Sequence, residues 1–318
     1  MWYNYGGMDN KPIISILSSV YNERLYIEQT IRGVLNQTYE NWEWIILDDG
    51  STDGTGEILR GIKDERVRCV FQENTGHVAK NMNRILKMSR GDIIATLDGD
   101  DYWPENKCEI QIKSFDDQDV VLSYGECVLV NSKGEKLGHI GVPEESSIAH
   151  NNPTGSALKR LLVDIDCFIC NTSVMYRKSS LSDAGGFVEV DGLPHDFSTW
   201  VKLSLSGRFC PIPACLGYYR KHLKSATFTM EQDYYFKKQV DFLRDFCLEN
   251  VQRFRDLGLP CHIDTLQDHW NRIGQKNRMI YRLTELSLFM RVDFVNPLIC
   301  FVNQKSSMKK VLKRFLRI

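Results

Sequence analysis

The 318-residue chain contains no apolar run long enough to cross a membrane, so it reads as soluble or peripheral. Neither sign of charge dominates: 40 Lys and Arg face 41 Asp and Glu, which leaves no global basic field for nucleic acid. No secretory apolar segment opens the sequence, and its ten cysteines follow no regular spacing, which predicts reduced thiols and a cytoplasmic location. Cys167 and Cys170, with Cys210 and Cys215, match no usual zinc spacing and read as buried hydrophobic side chains. Neither G-x-x-x-x-G-K-S/T nor G-x-G-x-x-G occurs, which argues against a P-loop NTPase and a dinucleotide enzyme. Internal repeats and low-complexity segments are absent too.

What is present is an alternation of β-rich runs and amphipathic helical patterns, long enough for one large α/β domain with an appendage, or for two domains. Ile13 to Val20 predicts a first strand, and Ile27, Ile31, Val34 and Leu35 then recur at helical spacing. Trp44 to Leu47 predicts a second strand and Val67 to Phe71 a third, followed by a helix with Val78, Met82, Ile85 and Leu86 on one face. Ile93 to Leu97 predicts the fourth. This order implies a parallel sheet with right-handed crossovers and a ligand crevice at its carboxyl edge. Beyond residue 105 the pattern loosens into strand-like pieces at Val120 to Ser123, Cys127 to Val130 and Thr172 to Tyr176, with a polar loop from Gly141 to Gly155. From about Glu231 it becomes helical, with Phe236, Val240, Leu243, Cys247, Val251 and Phe254 tracing one face.

The predicted strand ends carry the chemistry. Asp98-Gly99-Asp100-Asp101 follows the fourth strand, so three carboxylates within four residues arrive at the carboxyl edge of a sheet. Hard anionic oxygens suit Mg²⁺ or Mn²⁺, whose open positions substrate phosphates fill; a solvated acidic turn is the plain alternative. Ser19, Tyr21, Asn22 and Glu23 follow the first strand and are able to touch a base or ribose. After the second, Asp49 is suited to accept hydrogen bonds from a base N–H or ribose hydroxyls, while Gly50 and Gly54 allow sharp turns and Ser51 or Asp53 suit a helix cap. Lys80 and Asn81 lie on the helix after the third strand, where an ammonium meets a diphosphate or faces water.

Ser15-Ile16-Leu17-Ser18-Ser19-Val20-Tyr21-Asn22-Glu23, Gln37-Thr38-Tyr39, the run from Trp44 to Thr55 and Asp98-Gly99-Asp100-Asp101 together resemble the successive motifs of the family 2 inverting glycosyltransferases of bacterial surface-polysaccharide type. The likeness is strong over the first third and continues more weakly to about residue 225. It implies the GT-A fold, a Rossmann-like, mostly parallel α/β sheet flanked by helices, with a nucleotide-sugar donor and a divalent metal on its diphosphate. It further implies that Ser19, Glu23 and Asp49 hold the nucleoside, that Tyr21, Lys80 and Gly99 lie against the donor, and that Asp98 and Asp100 form a D-x-D metal site. The resemblance puts the catalytic base at Asp196, in Pro194-His195-Asp196-Phe197-Ser198-Thr199-Trp200, where helical spacing places it at a helix start and a capping role is the alternative. The family usually shows Glu-Asp where this chain has His195-Asp196. Tyr218-Tyr219-Arg220-Lys221-His222 resembles a segment that closes over the donor, which implies Arg220 on the diphosphate and His222 as a further metal ligand; a solvated basic loop is the alternative. Gly185-Gly186-Phe187 matches the family's Gly-Gly-Phe turn.

One domain is therefore expected over residues 1–230, with a nucleotide-binding half at 11–104 and an acceptor half at 105–230, and a helical extension over 231–318. At the end of that extension Met308, Val311, Leu312, Phe315 and Leu316 share a face, while Lys305, Lys309, Lys310, Lys313, Arg314 and Arg317 carry charge with no acidic residue among them. A basic amphipathic helix of this kind predicts peripheral contact with an anionic membrane, the inner face of the plasma membrane, against packing on its own domain or between copies in a homo-oligomer. The expected activity is transfer of one sugar from a nucleotide sugar, UDP-sugar favoured, to a glycan or lipid-linked acceptor. A nucleotidyltransferase, or a non-catalytic nucleotide-sugar-binding relative, is the competing expectation.

Overall fold

A computed structural model describes residues 12–142, 157, 158, 160, 161, 168–190, 194–225 and 232–257. The expected tail helix at 305–318 lies outside the described residues, as do Cys167 and the polar loop beyond Val142. Strands β1 (Ile14–Val20), β2 (Trp42–Asp48), β3 (Val67–Phe71) and β4 (Ile93–Thr96) alternate with helices α1 (Ile27–Leu35), α2 (Thr55–Arg60) and α3 (Val78–Leu86). All four strands are parallel, in the order β3-β2-β1-β4. Their near-continuous apolar runs follow from helices covering both faces. Ile14, Ile16, Trp44, Ile46, Ile93 and Ala95 point to the side of Ile27 and Val34 on α1, while Leu17, Ile45, Leu47 and Ile94 point to Met82, Ile85 and Leu86 on α3. Alternation with period two thus serves two cores at once.

The second half extends the same sheet with both antiparallel and parallel pairs. After α4 (Lys107–Ile112) come β5 (Val120–Val130), β6 (Lys136–Ile140) and, past a short 3₁₀ turn at Asn171–Ser173, β7 (Met175–Arg177). β7 lies between β4 and β5 and runs antiparallel to both. The sheet is therefore mixed, less parallel than its first four strands suggest. Helices α5 (Lys178–Asp183) and α6 (His195–Leu203) follow, then β8 (Arg208–Arg220), α7 (Gln232–Glu249) and α8 (Val251–Asp256).

Two departures from expectation have local causes. The pieces expected at 120–123 and 127–130 are one strand, β5, whose register against β8 slips between Gly125 and Cys127. A Cβ on Gly125 would stand 2.5 Å from the Leu216 side chain, so the glycine admits that neighbour. β8 itself is unexpected because Pro211 and Pro213 interrupt it; among the described strands it pairs with β5 alone, with one further bridge from Tyr218 to Tyr102, and prolines are tolerated on such an edge. Helix α7 appears where helical periodicity began, and its Val240, Leu243, Phe246 and Cys247, with Phe254 of α8, pack into the core that holds Phe197 and Trp200 of α6.

Candidate active site

Three loops meet beyond the carboxyl ends of β1, β2 and β4, where an open α/β sheet binds ligands. The β2 loop holds the β1 loop: Asn22 N–H donates to Ser51 Oγ (2.9 Å), Glu23 N–H to Thr55 Oγ1 (2.9 Å) and Arg24 N–H to Asp53 Oδ2 (3.0 Å). Asn22 adopts φ 58°, a left-handed conformation that asparagine tolerates, and its Oδ1 accepts from Thr52 N–H at 2.8 Å. Ser51 Oγ thus serves the first loop, while Asp53 serves that loop and α2 alike, its Oδ1 accepting the N–H of Thr55, the first residue of α2, at 3.0 Å; the N-cap position itself is Gly54, at φ 100°. The β4 loop is tied from behind, since Thr30 Oγ1 on α1 donates to the carbonyls of Gly99 (2.9 Å) and Asp101 (2.6 Å).

These ties bring Glu23 and Asp100 to His222, beyond the end of β8, with ligand atoms of all three within 4.8 Å of one another. His222 Nε2 lies 2.9 Å from Asp100 Oδ2, and the imidazole, 8% exposed, rests on the Tyr26 ring at 4.8 Å. Burial, then the negative charges of Asp100, Asp98 and Asp53, push the Glu23 carboxyl up to about 9; Lys224 opposes them. Two carboxylates and an imidazole crowded this way fit a divalent cation, whose charge would relieve the repulsion. Among the described residues no other group of three His, Cys, Asp or Glu side chains comes together so. Glu23, expected at the nucleoside, stands in this cluster.

Asp98 stands apart from the three. Asn171 Nδ2 donates to its Oδ2 at 3.2 Å, and burial, then Asp100, raise its carboxyl to about 7. Asp196 also contributes to that rise, so its charge acts on the same crevice. Asp196 is half-buried in the first turn of α6; Pro194 occupies the cap position, so the aspartate is not the N-cap, although its Oδ1 accepts the Phe197 N–H at 2.6 Å. The neighbouring His195 is buried edge-on to Phe187 (5.2 Å), and its Nε2 finds no partner among the described residues. Gly185 and Gly186 do form a sharp turn, at φ 90° and 86°, pinned by Asn83 of α3, whose side chain pairs with the N–H and C=O of Phe187 at 2.8 Å each.

Other expected ligands have different occupations. Asp49 is buried and accepts from Gln72 Nε2 (2.6 Å), Thr75 N–H (3.0 Å), Thr75 Oγ1 (3.1 Å) and Gly76 N–H (3.1 Å), so its carboxylate organises the loop after β3. Burial alone would raise its pKa, yet these bonds hold it below the ordinary value. Ser19 Oγ accepts from Asn81 Nδ2 at 3.2 Å, Tyr21 is 48% exposed, and Lys80 is exposed on the first turn of α3. Gly99 is buried, where a Cβ would come within 2.8 Å of both Glu23 Cγ and Val20 Cγ1.

Arg220, expected at the diphosphate, lies behind the aspartate loop. It is 1% exposed, with Nε on the Asp100 carbonyl (2.8 Å), Nη1 on those of Asn131 (3.0 Å) and Ser132 (3.2 Å), and Nη2 on Gln29 Oε1 (2.7 Å). Its backbone N–H donates to Asp101 Oδ1 at 2.8 Å, and Tyr26 and Tyr102 cover the guanidinium. A guanidinium so engaged braces the aspartate loop. Asp101 is fully buried, accepts from Thr172 Oγ1 as well, and burial followed by Asp100 raises its carboxyl far above the usual range. Asn171, Thr172, Asn83 and Thr30 thus serve the site without any signal in local spacing.

The sequence profile of Glycosyl transferase family 2 matches residues 15–185. A Bacillus subtilis protein provisionally named as the teichuronic acid biosynthesis glycosyltransferase TuaG is 32% identical over 202 residues, 62% of this chain and 74% of that one. The Escherichia coli UDP-Glc:alpha-D-GlcNAc-diphosphoundecaprenol beta-1,3-glucosyltransferase WfaP is 40% identical over 112 residues, which span 35% of this chain and 45% of WfaP. Among solved structures, S. aureus TarS 1–349 in complex with UDP-GlcNAc superposes with a TM-score of 0.59 at 18% identity, covering 89% of this chain and 93% of that one. The mannosyltransferase PcManGT from Pyrobaculum calidifontis, in complex with GDP-Man and Mn²⁺, gives 0.51 at 14% identity, over 96% and 87%. Both structural likenesses concern the fold, which is GT-A. With its three-loop crevice and the family profile over more than half its length, this chain belongs to the family 2 glycosyltransferases.

Proposed function

We propose that this glycosyltransferase is metal-dependent and inverting, and that it moves one sugar from a nucleotide sugar, UDP-sugar favoured, to an acceptor hydroxyl in surface-glycan synthesis. The observation that carries this reading is the cluster of Glu23, Asp100 and His222 at the end of β4. A divalent cation held there would neutralise the donor diphosphate as it leaves. The mixed oxygen and nitrogen donors favour Mn²⁺ over Mg²⁺, which prefers oxygen alone.

Asp196 acts as general base, taking the proton of the acceptor hydroxyl as that oxygen attacks the anomeric carbon. One displacement inverts the anomeric centre and needs no covalent intermediate. Asn171 keeps Asp98 facing the crevice, and the Arg220 brace fixes the backbone of Asp100 so that its carboxylate needs little reorganisation. UDP-Glc and a lipid diphosphate appear in the name of WfaP, and UDP-GlcNAc in the TarS complex, which supports a UDP-sugar and a lipid-linked acceptor here. The basic stripe in the sequence at 305–318 supports docking on the inner leaflet where such an acceptor sits.

Calorimetry of UDP binding to Asp100→Ala tests the reading. The variant is expected to fold, to lose the Mn²⁺-dependent part of UDP affinity and to transfer no sugar. Undiminished Mn²⁺-dependent binding in the folded variant contradicts it.

A further inference from the structure

We propose that Tyr176 and Thr96 are positioning residues: with Trp200 and Asn171 they form one buried hydrogen-bonded chain that sets the helix carrying Asp196 against the Asp98 carboxylate. The inference rests on the roles proposed above for those two aspartates. Trp200 follows Asp196 by four residues on α6, so the two share a face, one turn apart. The Trp200 Nε1–H donates to the hydroxyl of Tyr176, on β7, at 3.0 Å. Tyr176 faces Ile94 across the β4–β7 pair, which puts Thr96, two residues on, at the diagonal position of the same face; the hydroxyls of Tyr176 and Thr96 are hydrogen-bonded. Thr96 directs its own proton to Asn171, at Oδ1 (3.1 Å) and at the carbonyl (3.3 Å), and Asn171 Nδ2 donates to Asp98 Oδ2 at 3.2 Å.

An indole N–H only donates and a carboxylate only accepts, so the chain runs in one direction, from α6 to Asp98. Each hydroxyl between them passes its single proton onward. The Thr96 bond engages Asn171 Oδ1, so the amide presents its Nδ2 to Asp98; without that bond nothing in the chain decides which end of the amide meets the carboxylate. Trp200 and Tyr176 are 0% exposed and Thr96 1%, so water does not compete and each bond polarises the next. Burial raises the pKa of Tyr176 far above its ordinary value of 10.0, and the charges of Asp196 and Asp98 add to the rise, so the hydroxyl keeps its proton in the chain. A tie that merely fastened α6 to the sheet would end at Tyr176. This one continues to a carboxylate of the crevice, and it spares the base a misplacement that general-base geometry does not tolerate.

The test uses the full chain with Thr96→Val, Thr96→Ser and Tyr176→Phe. Thermal stability should fall in the Val and Phe variants whether or not the chain reaches the site, so it serves only to show that they fold. The probe is UDP with diamagnetic Mg²⁺, its binding read by calorimetry, while the Trp200 Nε1–H is followed by nitrogen–hydrogen NMR and identified by its loss in Trp200→Phe. In wild type the ligand should shift that resonance although the buried indole cannot touch it, because the change at Asp98 polarises the chain. Thr96→Val should bind UDP without the shift, and Thr96→Ser, which keeps the hydroxyl, should retain it. In hydrolysis of whichever of UDP-Glc and UDP-GlcNAc the wild type turns over, Tyr176→Phe and Thr96→Val should lower kcat on the order of tenfold at unchanged KM, the scale of one lost hydrogen bond. A shift that persists in folded Thr96→Val, no shift in wild type with UDP bound, or wild-type kcat in both variants overturns the chain alone. Wild-type protein that binds no UDP with Mg²⁺ or Mn²⁺ overturns the metal-dependent reading together with it.

Discussion

At the scale of single residues, the site separates groups that face the crevice from groups that hold them. Asp196 is half-buried in the first turn of α6 and its charge reaches Asp98. Asp196→Asn keeps the shape and the bond to the Phe197 N–H but removes the proposed base, so donor binding should persist while transfer slows by at least about a hundredfold, the usual scale of general-base catalysis. Steady-state kinetics beside UDP calorimetry check this, and near-normal transfer would move the base elsewhere. The motif residues at this scale were legible in the sequence because they follow strand ends in short runs. Asn171, which holds Asp98 from 73 positions away, and the Arg220 side chain, which reaches the Asp100 carbonyl from 120 positions away, were not. Their partners are made by tertiary packing, which no local spacing records.

At the scale of elements, close approach and buried polar pairs set the geometry. Gly99 lets the β4 loop lie against the β1 loop, and Gly99→Ala would drive a methyl into Val20 and Glu23. The expected cost is about 1–3 kcal/mol, the range for overpacking, with weaker Mn²⁺ binding because Glu23 must move. Thermal denaturation and Mn²⁺ titration read the two effects, and a variant matching wild type in both would contradict this packing. At the opposite end of the sheet, Glu43 of β2 accepts from Ser15 Oγ of β1 (2.6 Å) and from the N–H (2.5 Å) and Nε (2.8 Å) of Arg90, just before β4. Burial pushes the Glu43 carboxyl up, but these hydrogen bonds outweigh it and hold its pKa below the ordinary value of 4.5. A depressed carboxyl stabilises the fold above its unfolded pKa and loses that contribution as pH falls through the folded value. Glu43→Gln should therefore lower Tm at pH 7, with the gap to wild type closing once pH drops well below 4.5. A gap independent of pH would contradict the assignment.

At the scale of the whole molecule, the first four strands and their helices were readable because both faces of the sheet are covered and apolar runs end at loops of small and acidic residues. β8 was hidden by Pro211 and Pro213, whereas β7 falls at the end of the strand-like piece expected from Thr172 to Tyr176, whose first residues belong instead to the 3₁₀ turn Asn171–Ser173. Among the described residues no helix is long and apolar enough to cross a membrane, and the contact proposed for the sequence stripe at 305–318 is with the membrane surface. Each Lys or Arg near an anionic leaflet adds about 1 kcal/mol, screened by salt. Removing 305–318 should abolish sedimentation with anionic vesicles at low salt while sparing hydrolysis of a soluble donor; equal sedimentation of both forms would contradict membrane docking. The central claim is that Glu23, Asp100 and His222 together hold the catalytic cation. Anomalous diffraction at the manganese edge from crystals grown with Mn²⁺ and UDP tests it most directly. The account predicts one peak within coordination distance of Glu23, Asp100 and His222 and of the UDP diphosphate, whereas UDP bound in the crevice with no peak at these three side chains would contradict it.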